Sequence, residues 1–287
     1  TATLVWLPFS NLLVKLACLT IRDDKVDEIS REDQEFMILE SRFLEKPAFA
    51  VEQGRNAAKH MEQDSRKILD IALGLIYSYS DEQAERVQKL ESKIDRYEDE
   101  LGTYLVKLNN KDLSERDSHS VSIMLHCIGD FERISDHAVN IMESAQELHE
   151  KNISFSPQAR NELQVLIAVV SRIVDTAYQV FDKQDLNLTR DVEPLEEIVD
   201  ELSKELKRRH VNRLRLGECT IEMGFILTDL ITSLERIADH CSNISVCVTQ
   251  VRENLYDTHS HLENLKNEPD DSYYNRLGEL HKEYVLP

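Results

Sequence analysis

Apolar residues return along most of the chain at steps of three and four, the spacing that lays them on one face of an α-helix. Within residues 48–79 the stripe is Ala57, Met61, Ile68, Ala72, Leu75 and Ile76. Ser80 and Asp81 suit the N-terminal cap of a second helix over 82–109, with its stripe at Val87, Leu90, Ile94, Leu101, Leu105 and Leu108. Asn109, Asn110, Lys111 and Asp112 read as a turn. A third helix is expected over 114–151, opened by Ser114 with Asp117 three residues on, a variant of the capping box. The order then repeats. Ser156-Pro157 starts a helix reaching residue 183, a second follows over 191–216, and a long third over 218–255. Residues 259–272 read as a polar connector and 273–285 as a terminal helix.

The start of the chain breaks this pattern. Residues 1–21 are mostly apolar with Lys15 as the only charge, followed by a charged, mainly acidic linker at 22–47. The apolar stretch lacks the basic start and small-residue cleavage site of a signal peptide. Pro8, Asn11 and Lys15 interrupt it, so it falls short of the ~20 clean apolar residues of a membrane span. It reads as the tail end of a membrane domain, against the alternative of a hydrophobic helix docked on the helical body.

Composition supports long helices. Only seven Gly and six Pro punctuate 287 residues, too few for many short strands and turns. Against 34 basic residues stand 54 acidic ones, a net charge of −20. Such a surface repels phosphate backbones and argues against nucleic acid as a partner; it attracts cations. Cys18, Cys127, Cys219, Cys241 and Cys247 form an odd set with no Cys-x-x-Cys, so buried free thiols are expected rather than disulfides or a zinc knuckle.

One motif occurs twice. Glu132-Arg-Ile-Ser-Asp136-His137 with Asn140-Ile141 matches Glu235-Arg-Ile-Ala-Asp239-His240 with Asn243-Ile244, a step of 103 residues. Upstream, Leu90-Glu91 with Asp95 matches Leu195-Glu196 with Asp200, a step of 105. Self-similarity at a near-constant period marks duplicated structural units, here about 48–151 and 152–257, with 258–287 as a tail. Residues four apart share a helical face. Glu132, Asp136 and Asn140 therefore form one polar ladder, and Glu235, Asp239 and Asn243 another. If the second and third helices of a unit pack antiparallel, Glu91 and Asp95 approach Glu132 and Asp136, and Glu196 and Asp200 approach Glu235 and Asp239. Four carboxylates that close repel, and a cation relieves the repulsion. Mg²⁺, Ca²⁺ and Mn²⁺ take such oxygen ligands, and iron also accepts carboxylates. Asn140 and Asn243 are candidates for a neutral oxygen or an outer-shell contact. The alternative is that the acids pair with Arg133, Arg236 and nearby bases in solvated ion pairs. His137 and His240 point about 100° away from the preceding Asp and read as packing residues. No Gly-rich phosphate loop, His-Glu-x-x-His or nucleophile elbow is present.

At these residues the sequence resembles the PhoU family. Both motifs are similar to its Glu-Arg-Ile-Gly-Asp-x-x-x-Asn-Ile hallmark, with Ser135 and Ala238 in place of Gly. The flanks, Leu7-Pro8-Phe9 and Phe43-Leu44-Glu45-Lys46-Pro47-Ala48-Phe49-Ala50, resemble bacterial sodium/phosphate cotransporter-family proteins that carry a PhoU-like domain behind a membrane region. The resemblance implies an all-α fold of two tandem three-helix bundles related by a pseudo-twofold, with extra terminal helical segments. It implies multinuclear metal binding, with iron and zinc among the metals, and regulation of phosphate uptake without chemistry of its own. It places the chain at the cytoplasmic face of a bacterial inner membrane, acting on a membrane transporter domain in the same chain or a partner, with a signalling protein or a second copy as further partners. The leading expectation is a regulatory domain of a sodium-coupled phosphate transporter. The rivals are a stand-alone PhoU-type adaptor and, from the enzyme class, a carboxylate-bridged metal enzyme.

Overall fold

Proline has no N–H to lose at the first turn of a helix, and Pro47 opens α1 (Pro47–Leu75). The structure, a computed structural model, describes residues 36–253 and 272–287. The apolar stretch at 1–21, most of the charged linker and the connector at 259–271 lie outside the described residues. From Leu39 onward the described residues belong to one unit. After α1 come α2 (Asp81–Asn109), α3 (Glu115–Glu150), α4 (Pro157–Lys183), a single turn α5 (Leu186–Thr189), α6 (Val192–Arg215), α7 (Ile221–Glu253) and α8 (Ser272–Glu283). Every described element is helical.

The ends follow local chemistry. Ser114 Oγ accepts from the Asp117 N–H at 3.2 Å and donates to Asp117 Oδ2 at 2.8 Å, closing the cap of α3. Ser156 Oγ accepts from the Ala159 N–H at 3.2 Å, and Pro157 follows at the first helical position. Ser80 stands at the start of α2 in extended backbone, but its side chain makes no capping bond. α4 ends on Gln184, which takes the left-handed conformation with φ 50°.

Helices α1, α2 and α3 pack on one another as one bundle, and α4, α6 and α7 as a second. The central pair, α3 against α7, joins the bundles and runs antiparallel. Asp130 on α3 meets His240 and Asn243 on α7, whereas Ser144, further along α3, shares a pocket with Asp229 and Ser233, earlier on α7. Enclosure by two bundles explains the apolar breadth of α7: Ile244, Ser245, Val246, Cys247, Val248 and Thr249 are all buried. α1 and α4 add a second seam between the bundles. Ser65 Oγ lies 2.9 Å from the Tyr178 hydroxyl and donates to the Phe131 carbonyl at 3.0 Å; Phe131 meets Tyr178 and Phe181 edge-to-face. α4 is long and apolar enough to cross a membrane, yet half of its most apolar window is buried in the second bundle, as a core helix would be. α8 rests on α6.

Cys127, Cys219, Cys241 and Cys247 are free thiols, and all but Cys219 are buried. Contact with Cys247 across the α3–α7 seam, together with burial, holds the Cys127 thiol well above its ordinary range. Among these four, iodoacetamide is expected to modify Cys219 first in the native protein. Cys127, Cys241 and Cys247 react only after global opening. Peptide mapping after timed alkylation checks this; early labelling of Cys127 or Cys247 would contradict the packed seam.

Candidate metal centre

Three acids named by the repeat meet in the first bundle. Glu91 and Asp95 lie one turn apart on α2, and Asp136 faces them from α3. Their nearest carboxylate oxygens all lie within 4.8 Å of one another. An ion bound at 2.3–2.6 Å spans oxygens up to about 5 Å apart, so the donor set and its spacing fit a hard cation. Burial pushes the Glu91 and Asp95 carboxyls up, and the neighbouring charges, Asp95 on Glu91 and Asp136 on both, push the same way. Glu132, one turn before Asp136, rises to about 7, first through burial and then through the Asp136 charge; Arg133 opposes this. Asp99, one turn beyond Asp95, adds to the negative field there. Arg133 lies 3.4 Å from Glu132 and 3.9 Å from Asp136.

The second bundle repeats the acids but not their isolation. Glu196 rises to about 7, first through burial, then through Asp200, with Glu193, Asp239 and Glu197 adding to it. Lysines stand among the others. Lys204 Nζ lies 2.9 Å from Asp200 Oδ2, and Lys207 Nζ lies 2.7 Å from Glu235 Oε2. Arg236 pairs with Asp239 at 3.0 Å. At the repeat step of 105 residues, Lys204 corresponds to Asp99 and Lys207 to Gly102. Among the described ion pairs, the first bundle's cluster meets one base, Arg133. The other holds its own counter-ions.

The two asparagines stand elsewhere. Asn140, whose Nδ2 is 3.5 Å from His137 Nδ1 on its own helix, lines a pocket with Asp229 and Ser233 of α7, and Asn243 Nδ2 donates to Asp130 Oδ1 of α3 at 3.4 Å, so both sit on the α3–α7 seam. The two histidine rings face each other there with centroids 5.8 Å apart, and Asp130 Oδ1 lies 2.9 Å from His240 Nδ1. Spacing missed Glu193, Glu197, Lys204 and Lys207. The lysines were visible as Lys at i+4 from Asp200 and at i+11 from Glu196, the steps that share a helical face.

Fold and site together define a duplicated helical-bundle protein with paired acidic clusters between its second and third helices. The chain matches the PhoU domain twice, over residues 58–145 and 163–248, more than half of its length. It belongs to the PhoU family. It is 30% identical over 115 residues to the phosphate-specific transport system accessory protein PhoU homolog 1 of Thermotoga maritima, covering 40% of this chain and 49% of that protein. The PhoU homolog of Deinococcus radiodurans is 22% identical over 194 residues, covering 66% and 88%. Among solved structures, PhoU from Pseudomonas aeruginosa superposes with a TM-score of 0.66 at 23% identity, over 71% of this chain and 98% of that one. The phosphate transport system regulatory protein PhoU from Streptococcus pneumoniae gives 0.65 at 17% identity, over 74% and 100%.

Proposed function

We propose that the chain is a PhoU-type adaptor that regulates a phosphate transport system. The double match to the PhoU domain carries this reading. The relatives are named as accessory or regulatory proteins of phosphate transport, and the two-bundle body corresponds to nearly the whole of both solved PhoU chains. That favours action on a separate transport system over service as the regulatory domain of a sodium-coupled transporter in the same chain. The adaptor would work at the cytoplasmic face of the membrane. Expressed in a bacterium deprived of its own PhoU-type protein, it should restrain phosphate uptake in phosphate-rich medium. Uptake unchanged from the empty-vector control would sink the reading.

The adaptor binds metal, in this reading, chiefly through Glu91, Asp95, Glu132 and Asp136. Glu196, Asp200, Glu235 and Asp239 form a weaker second site because Lys204, Lys207 and Arg236 compete for them. A bound cation would neutralise the first cluster and draw α2 and α3 together, so occupancy biases how the first bundle packs. Iron, zinc and the harder divalent ions are all suited to a carboxylate set. Elemental analysis after loading and desalting tests this. Asp136→Asn should remove most of the bound metal, and Asp239→Asn distinctly less. Equal metal in wild type and Asp136→Asn would exclude the first site; equal losses in both variants would exclude the asymmetry.

A further inference from the structure

At one end of the seam between the bundles, α1, α3, α4 and α7 enclose a cleft of about 510 Å³. Pockets of this size hold small ligands. Its sign is opposite to that of the molecule: Arg55, Lys59, Arg116, Lys183 and Arg252 line it, although the chain as a whole carries −20. The carboxylates on the wall are Glu52 and Asp182.

Two of the cations are already compensated. Lys59 Nζ lies 2.8 Å from Asp182 Oδ2, and Arg55 Nη1 lies 3.6 Å from Glu52 Oε2. Arg55 also donates from Nη2 to Ser120 Oγ at 2.9 Å, and Ser120 is 3% exposed, so the guanidinium is anchored against a buried hydroxyl. Among the described residues, Arg116, Lys183 and Arg252 form no ion pair with a carboxylate; Lys183 Nζ donates to Gln179 Oε1 at 2.9 Å. Three cations without a carboxylate partner among the described residues share one concave wall, and their mutual repulsion is a cost that an anion would remove. Met124 and Phe181 are buried in the same wall and give it an apolar part.

We propose that this cleft binds a small, multiply charged anion of the phosphate class, with Arg116, Lys183 and Arg252 supplying the attraction and the anchored Arg55 a fixed donor. Guanidinium forks match tetrahedral oxyanions in pairs of parallel hydrogen bonds. The volume admits pyrophosphate more fully than orthophosphate. Because α1 and α3 belong to one bundle and α4 and α7 to the other, the anion would bridge the bundles. The cleft is separate from the acidic clusters: Arg116 precedes Glu132 by sixteen residues on α3, roughly 24 Å along the helix axis. Anion binding there does not depend on metal in the acidic cluster.

Isothermal titration of metal-free, full-length protein at low salt tests it, with pyrophosphate and then orthophosphate as titrants. Pyrophosphate is expected to bind at one site per chain, more tightly than orthophosphate, and to weaken steeply as salt is raised. Arg116→Gln and Arg252→Gln, both at exposed positions outside the core, should each reduce affinity about tenfold, the effect of one lost charged contact. Asp136→Asn should bind the anion as wild type does, which separates this cleft from the metal reading. A second arm uses vesicles rich in phosphatidylglycerol. No binding of either soluble anion, binding indifferent to both arginine variants, or retention by vesicles alone would each overturn the proposal.

Discussion

Alanine in place of Glu162 is expected to destabilise the chain by about 3–5 kcal/mol, because it strands a buried cation. Glu162 is fully buried on α4, with Oε1 2.9 Å from Arg209 Nη1 and Oε2 2.8 Å from Arg213 Nη1. Arg213 is itself only 7% exposed. The two arginines do not suffer equally. Arg209 keeps Glu205 at 2.9 Å and the Pro287 carbonyl at 2.7 Å. Arg213 has no second carboxylate among the described residues, and its Nη2 is already buried without a partner. Removing the carboxylate alone therefore leaves Arg213 as an uncompensated interior charge. Thermal melting should show a drop on the order of 10 °C for a chain of this size. The double variant Glu162→Leu/Arg213→Met should recover most of that loss, since a buried ion pair and a well-packed apolar pair are close to equivalent. A single variant that melts with wild type, or a double variant no better than the single, would show that the pair does not carry the stability assigned to it.

The bundle order was legible because its punctuation is chemical. Ser114 and Ser156-Pro157 start α3 and α4 where the spacing predicts, since each hydroxyl faces a free N–H three residues on. The single turn α5 was not legible. The break before it falls on Gln184, a left-handed residue with a side chain, where glycine would have announced it. α1 stops at Leu75, short of the expected residue 79, because Tyr77 and Ser78 turn back on the Gly74 carbonyl.

The acidic clusters were visible only because they recur. One Glu-x-x-x-Asp in a chain with 54 acids means little; the same pair at matching places in two units means much more. Which unit holds the better site was not visible from the motif, because the answer lies one to three turns further along α6, in Lys204 and Lys207. Pairing of the acids with Arg133 and Arg236, the bland alternative to a metal, is also present in the structure. The basic cleft had no signature at all. Its cations stand at 55, 59, 116, 183 and 252, and only the antiparallel packing of α3 and α7 with the α1–α4 seam brings them together.

Glu62 was passed over for the opposite reason: it sits on the apolar stripe of α1, four residues after Ala58, where a carboxylate is least expected. It is 7% exposed and its Oε2 has no hydrogen-bond partner. Burial, then the nearby Asp182 charge, raise its carboxyl to about 8, with Lys59 opposing. The unfolded chain releases this proton near the ordinary value of 4.5, so the folded form binds more protons between those two values. Stability is then highest below the unfolded value, falls as pH rises from about 4.5 to about 8, and levels off above. At pH 7 the cost is on the order of 3 kcal/mol, since each pH unit climbed above 4.5 removes about 1.4 kcal/mol. Glu62→Met keeps the length of the side chain and removes the titrating group. It should match wild type near pH 4.5 and become progressively more stable than it toward pH 8. Urea midpoints measured across that range for both proteins decide the matter: parallel pH profiles would mean that Glu62 does not titrate in the interior, and a gain confined to low pH would mean that the folded chain holds the proton less tightly than the unfolded one.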